Sequence, residues 1–216
     1  MSAPILITGF EPFDGDRLNP SWEVARALDG RRVAGHRLVA LRLPCTFADA
    51  MPALNAAIDS LRPCLVLGLG LAASRAAVSI ERLAVNLIDA RIPDNAGVQP
   101  IDEPVVAEGP AAYFTSLPVK ALHAALHEAG LPVEVSHSAG TFVCNQVFYT
   151  LMHRLRAWPG LSGGFIHLPP LPEQAARYPG CRPLALDEQV RAILLAVTVA
   201  LTRPAEHHQH STGRID

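Results

Sequence analysis

Apolar residues recur along this chain with two periods. Short runs at 5–10, 37–43, 65–68, 79–87, 133–136 and 164–167 have the length and the β-branched or leucine-rich make-up of buried strands. Between them lie stretches whose apolar residues return every three or four positions, the spacing that lines one face of a helix. The clearest is predicted to start at Asp187 as N-cap, carries Val190, Ile193, Leu194, Val197 and Leu201, and stops before Pro204. A second begins near Pro118, with Val119, Leu122 and Leu126 on one side and Gly130 suited to a left-handed cap. A third opens close to Cys144 and continues through Val147, Phe148, Leu151, Met152 and Leu155. Strands alternating with helices imply the α/β class, read as one domain over 1–204. The polar, aperiodic segment 205–216 is expected to be a disordered tail. From Asp89 to Ala112, Pro, Asp and Gly recur so often that a long loop is expected, and long loops in compact domains are often functional.

Composition narrows the class. A chain of 216 residues, 50% hydrophobic, can bury one sizeable core. With 18 Lys+Arg against 20 Asp+Glu, for a net charge of -2, it offers no basic face to a phosphate backbone, which argues against nucleic acid as a partner. The first residues have no basic region ahead of their short apolar run, and no other apolar run is long enough for a bilayer, so neither signal peptide nor membrane span is expected. Cys45, Cys64, Cys144 and Cys181 fall at irregular spacings without Cys-x-x-Cys, fitting neither a disulfide framework nor a structural zinc site. Reduced thiols in the cytoplasm are the simplest expectation.

Chemistry concentrates at three residues. Cys144 follows a strand end near Ser136, a turn-permitting Gly140 and the start of a helix. A thiol in a helix's first turn faces free backbone N–H groups and the positive end of the dipole, which favour a thiolate and can hold an oxyanion. The plain alternative is a buried structural cysteine, the reading that suits Cys64. Cys45 ends a strand after Pro44, where it could border a site, and Cys181 falls in a loop. Among nine histidines, His207, His208 and His210 lie in the polar tail, and His123 and His127 share a helix face without the glutamate of a zinc peptidase motif. His167 ends an apolar strand before Leu-Pro-Pro-Leu-Pro, at the carboxyl end of a strand, where open α/β sheets place their sites. Its alternative is a hydrogen-bonded core histidine. A cysteine peptidase needs an imidazole to take the thiol proton and a third group to orient it. Glu81 is the candidate third group, on a strand where the two-residue period gives it a face with Leu83, Val85 and Leu87. Alternatively it reaches solvent or pairs with Arg82 or Arg75. Arg91 and Asp94 could stabilise charge or hold their loop together.

Several stretches then resemble one family. Gly9-Phe-Glu-Pro-Phe-Asp-Gly with Asn19-Pro-Ser, Ile80-Glu-Arg-Leu-Ala-Val-Asn, Asp89-Ala-Arg-Ile-Pro-Asp-Asn, Ala139-Gly-Thr-Phe-Val-Cys-Asn and Gly164-Phe-Ile-His-Leu-Pro are similar to type I pyroglutamyl peptidases, also called pyrrolidone-carboxylate peptidases. They occur in the family's order over most of the chain. The resemblance implies a single-domain α/β/α sandwich on a mostly parallel, mixed sheet. It also implies a Cys144, His167 and Glu81 triad without metal or cofactor, a cytoplasmic location and a homotetramer. Its substrates would be peptides with N-terminal pyroglutamate, the lactam ring enclosed by Phe10, Phe13, Phe142 and Val143 with Asn19 nearby, and Arg91 beside the oxyanion. The chain departs from the family at Gly70-Leu-Ala-Ala-Ser-Arg75, where Gly-Gln-Ala-Gly-Gly-Arg is usual, so Leu71 stands in for a glutamine close to the substrate. That departure opens one rival reading, a thiol amidase or acyl hydrolase acting on another small cyclic or acyl group; the rival outside enzymes is a binding protein that keeps the pocket without turnover, which fold alone does not exclude.

Overall fold

The computed structural model describes residues 2–202 and Thr212, so the expected tail, Thr212 apart, lies outside the described residues. In chain order the elements are β1 (Ile5–Phe10), α1 (Pro20–Leu28), β2 (Arg32–Val33), β3 (His36–Leu43), α2 (Ala50–Leu61), β4 (Leu65–Leu71), β5 (Val78–Glu81), β6 (Leu83–Val85), β7 (Ala112–Phe114), α3 (Val119–Glu128), β8 (Val133–Ser136), α4 (Val143–Leu155), β9 (Ser162–Leu168) and α5 (Leu186–Thr202). A seven-stranded sheet runs β2-β3-β1-β4-β9-β5-β8, and β6 and β7 form a separate antiparallel pair. Strands β3, β1, β4 and β9 are mutually parallel. Strand β5 enters antiparallel to β9 and carries β8 parallel to itself, which makes the sheet mixed.

Both faces of the sheet are covered, and that is why its central strands read as nearly continuous apolar runs, broken in β1 by Thr8 and in β9 by Ser162 and His167. Successive residues of β1 point to opposite layers: Ile5 and Ile7 join a core with Val24, Leu122 and Ile193 of α1, α3 and α5, whereas Leu6 joins Ile58, Val147 and Phe148 of α2 and α4. Ile5, Leu6 and Ile7 are fully buried, and each such side chain contributes roughly 1.5–3 kcal/mol of transfer free energy.

Helix ends follow local chemistry. Asn19 Oδ1 accepts the Ser21 N–H at 3.1 Å, capping α1, whose first residue is Pro20. Past α3, Gly130 takes a φ of 72°, the left-handed cap its sequence position suggested. Helix α4 differs: Phe142 holds its N-cap position and no side chain caps it.

Two expectations need correction. The 79–87 run is not one strand: the chain turns at Arg82, whose N–H donates to the Ser136 carbonyl at 2.8 Å and whose own carbonyl accepts from Thr115 at 3.0 Å. Beyond it, β6 leaves the main sheet to pair with β7, so Glu81 shares no buried face with Leu83, Val85 and Leu87, all three of which keep partial exposure. Asp187 is not the N-cap of α5 but lies in its first turn, after Leu186. The 89–112 loop holds itself together largely through Asp94, whose buried carboxylate accepts from the backbone N–H groups of Phe47, Ala96 and Val98.

Candidate active site

The three predicted residues meet at the carboxyl ends of the central strands. After β8 the chain turns through Gly140, at a φ of 80°, into α4, of which Cys144 is the second residue. Without a side-chain cap, the first-turn N–H groups of α4 remain available to a bound anion. His167 comes from β9 and is 4% exposed; Glu81 ends β5 and is fully buried. The antiparallel register that sets Ser79 beside His167 brings the two side chains together, and His167 Nδ1 lies 2.7 Å from Glu81 Oε1. A carboxylate partner makes Nδ1 the donor, which leaves Nε2 as the proton acceptor.

Gly70 of β4 supplies the space between sulfur and ring. A Cβ there would lie 2.9 Å from Cys144 Sγ, 2.9 Å from His167 Cδ2 and 2.9 Å from Phe165 Cε1. Thiol and imidazole therefore flank one gap that only a glycine leaves open. No hydrogen bond joins them in this structure, and such catalytic contacts commonly tighten only when substrate is present.

Burial, first of all, pushes the Cys144 thiol well above its ordinary value; the Cys45 thiol and the Glu81 carboxylate add to the rise, and Arg75 and the Cys144 N–H oppose it. Burial therefore works against the helix N-terminus, whose free N–H groups favour the thiolate. The His167 ring lies across the Gly70 gap from this thiol.

Beside the sulfur opens a pocket of about 280 Å³. Phe10, Phe13, Asn19, Leu71 and Phe142 line it, together with Cys45, Arg75, Asp16 and Tyr178. The Phe142 ring stands 5.1 Å from that of Phe13 and 5.0 Å from that of Phe47, so the aromatic wall is held by ring contacts. Asn19 is largely committed to the fold: Oδ1 accepts from the Ser21 hydroxyl as well as its N–H, and Nδ2 donates to the Glu11 carbonyl. Two expected pocket residues are not brought there. Arg91 is exposed on its loop, and the Val143 side chain is fully buried in the α2/α4 core.

Leu71 poses a different question, because its side chain differs from the usual glutamine. The Ala72 N–H bonds the Leu168 carbonyl at 3.0 Å, toward β9. Main-chain groups alternate sides along a strand, so the N–H and C=O of Leu71 face the opposite edge, where β1 pairing has ended at Gly68. Leucine at this position leaves those two polar groups in place.

Arg75 is one of the alternative partners that the sequence offers Glu81. It is that partner, with Nη1 2.7 Å from Glu81 Oε1 and Nη2 2.7 Å from the Ser138 carbonyl. The signal was the cost of burying Glu81 alone. Asp16 and Tyr178 gave no signal, since single polar residues in distant loops look solvated; here the Tyr178 hydroxyl donates to Asp16 Oδ2 at 2.7 Å and closes one side of the pocket. Among the described residues no cluster of three His, Cys, Asp or Glu side chains could hold a metal, and no helix is long and apolar enough to cross a membrane.

An α/β/α sandwich that converges a helix-borne cysteine, a strand-end histidine and a buried carboxylate on one pocket has the construction of a cysteine hydrolase. The family described as pyroglutamyl peptidase matches residues 3–203, and the chain belongs to it. It is 52% identical over 210 residues to a pyrrolidone-carboxylate peptidase of Yersinia pestis, covering 97% of each chain. Its fold superposes on pyroglutamyl peptidase I from Bacillus amyloliquefaciens with a TM-score of 0.90, at 39% identity and over 94% of this chain and 97% of that one. The pyrrolidone carboxyl peptidase of Thermococcus litoralis gives a TM-score of 0.89 at 38% identity, over 93% and 94% of the two chains.

Proposed function

We propose that this chain is a cysteine peptidase that removes pyroglutamate from peptide N-termini, with Cys144 as nucleophile, His167 as base and acid, and Glu81 as the group that orients the ring. The observation that carries this reading is the gap at Gly70, which sets the Cys144 sulfur and the His167 ring side by side at the wall of an aromatic-lined pocket. The lactam ring, flat and uncharged, fits between Phe10, Phe13 and Phe142, and the turned-out N–H and C=O of Leu71 suit its two polar groups.

His167 Nε2 takes the thiol proton as sulfur bonds to the pyroglutamyl carbonyl carbon. The oxygen turned anionic is held by the N–H of Cys144 and its neighbours in the uncapped first turn of α4. That assignment keeps Val143 in the site through its main chain and leaves the exposed Arg91 outside it. The imidazolium, stabilised by Glu81, gives its proton to the departing amine as the C–N bond breaks, leaving a thioester. Water that loses a proton to His167 then attacks the thioester, releasing pyroglutamate and restoring the thiol. A catalytic domain over 1–204, a homotetramer and a cytoplasmic location complete the proposal, and their support is the family resemblance and composition.

The test is release of a fluorogenic amine from its pyroglutamyl amide and from the matching prolyl amide, under reducing conditions. Wild type is expected to turn over only the first, because proline lacks the lactam carbonyl and leaves polar groups of the site unpaired. Cys144→Ser is expected to lose on the order of 10⁴-fold or more in kcat. A well-folded wild type that releases no amine from the pyroglutamyl compound would overturn the reading.

A further inference from the structure

We infer that Arg75 is a positioning residue of this reaction: one guanidinium that aligns the Glu81 carboxylate beneath His167 and, through Ser138, sets the loop that delivers Cys144. The inference rests on the roles assigned above to those three residues.

The carboxylate of Glu81 is engaged on one side only. Oε1 receives both His167 Nδ1 and Arg75 Nη1, each at 2.7 Å, whereas Oε2 is buried without a hydrogen-bond partner. A carboxylate held by one oxygen can swing about its terminal bond, and a histidine alone would swing with it. The rigid, planar fork of an arginine removes that freedom, provided its other end is anchored. It is anchored: Nη2 meets the Ser138 carbonyl at 2.7 Å, in the turn between β8 and α4 that leads to the nucleophile. Arg75 itself is seated by a turn in which its N–H bonds the Ala72 carbonyl, next to the Ala72 bond onto Leu168 of β9. One side chain thereby links the segment after β4, the end of β5 and the approach to α4, and it lines the pocket while 21% of the side chain stays exposed.

Arg75 also sets the charge balance. Among the described residues, only His167 and Arg75 form ion pairs with Glu81. The other titratable groups around the gap are Cys144 from α4 and Cys45 after β3, with Glu11 and Asp94 behind Cys45. Asp16 and Tyr178 bond one another at the pocket wall, Arg82 follows Glu81, and Glu134 of β8 meets Ser79. Removing the Arg75 cation takes from the Cys144 thiol a positive charge that opposes the effect of its burial. The thiol then gives up its proton at higher pH, and the acid limb of activity moves with it.

The experiment compares wild type, Arg75→Gln and Arg75→Lys, with folding checked by circular dichroism. It reads kcat and KM against pH on the pyroglutamyl amide, and the rate of Cys144 alkylation by iodoacetamide against pH, followed by mass spectrometry of the Cys144 peptide. For Arg75→Gln the expected result is a kcat lower by about 10²-fold, with KM changed less than the rate. Its acid limb and its alkylation midpoint are both expected about one pH unit higher. Arg75→Lys is expected to return the midpoint to its wild-type position and to recover part of the rate. A folded Arg75→Gln whose two pH profiles match wild type overturns the inference, whatever its rate. Should Arg75→Gln fail to fold, an Arg75→Lys variant with wild-type kcat overturns it instead, since lysine keeps the charge and loses the two-point bridge. Alkylation needs no substrate, so a wild type inactive on the amide would sink the peptidase reading while Arg75 is still tested.

Discussion

At the amino ends of the parallel strands, Cys64 Sγ lies 3.4 Å from His36 Nδ1; at the carboxyl ends, Cys144 and His167 flank the Gly70 gap without a hydrogen bond. Judged by distance alone, the first pair is the better dyad. Its chemistry points the other way. His36 Nδ1 also lies 2.7 Å from the Ala3 carbonyl, an acceptor, so this nitrogen carries the proton and cannot take one from the thiol. The Cys64 sulfur in turn lies 3.6 Å from the carbonyls of Ala3 and Pro4, and burial raises its pKa, with neighbouring backbone N–H groups opposing the rise. Among the described residues no carboxylate pairs with His36. At the carboxyl ends the His167 Nδ1–H donates a hydrogen bond to the buried Glu81 carboxylate, and the ring lines a pocket beside Cys144. A cysteine and a histidine in contact make a structural tie; a base needs its second nitrogen committed to a carboxylate and its first left open.

That comparison can be broken most severely at Glu81. Glu81→Gln gives His167 a neutral partner that no longer enforces the tautomer or supports the imidazolium, so kcat on the pyroglutamyl amide is expected to fall by on the order of 10³- to 10⁴-fold. A fall of less than tenfold in a folded variant would mean that the carboxylate does not distinguish the two pairs. The next largest effect is expected from Gly70→Ala. Its Cβ would press on Sγ, the His167 ring and Phe165 at once, so kcat is expected to drop by about 10²-fold, with a loss of about 1–3 kcal/mol in chemical denaturation. Near-normal turnover in this variant would show that the gap does not set the spacing of thiol and ring. The smallest effect belongs to the amino-end pair: Cys64→Ser should leave kcat/KM within twofold and stability within about 1 kcal/mol. A large loss of turnover there would remove the contrast altogether.

Much of this arrangement was legible along the chain because it is written in local patterns. Strands β1, β4 and β9 announce themselves as nearly continuous apolar runs, since both of their faces are buried. Helices α3, α4 and α5 show their buried stripes, and Cys144 at a glycine turn into a helix carries its own signal. Helices α1 and α2 were missed. The first has two large buried apolar side chains, Val24 and Leu28, and the second is alanine-rich with Leu54 and Ile58 as its large buried anchors, too sparse a stripe to stand out. The split at Arg82 was hidden because residues on both sides favour strand; pairing partners, not propensity, divide them between two sheets.

By itself, then, the sequence determined β1, β3, β4, β8 and β9 of the central sheet, helices α3 to α5, the candidate cysteine, histidine and glutamate, and the family motifs that join them. Tertiary structure alone decided the antiparallel entry of β5 beside β9, which aims Glu81 at His167, and the choice of Arg75 over Arg82 as the partner of that buried charge. It also decided the exposed place of Arg91 on its loop, the recruitment of Asp16 and Tyr178 to the pocket wall, and the burial that raises the pKa of a thiol whose helix position favours the thiolate. The physical reason is common to all of these. Periodicity and turn chemistry act between residues a few positions apart, whereas desolvation and ion pairing depend on which distant segments exclude water around a charge, and that is known only once the chain has folded.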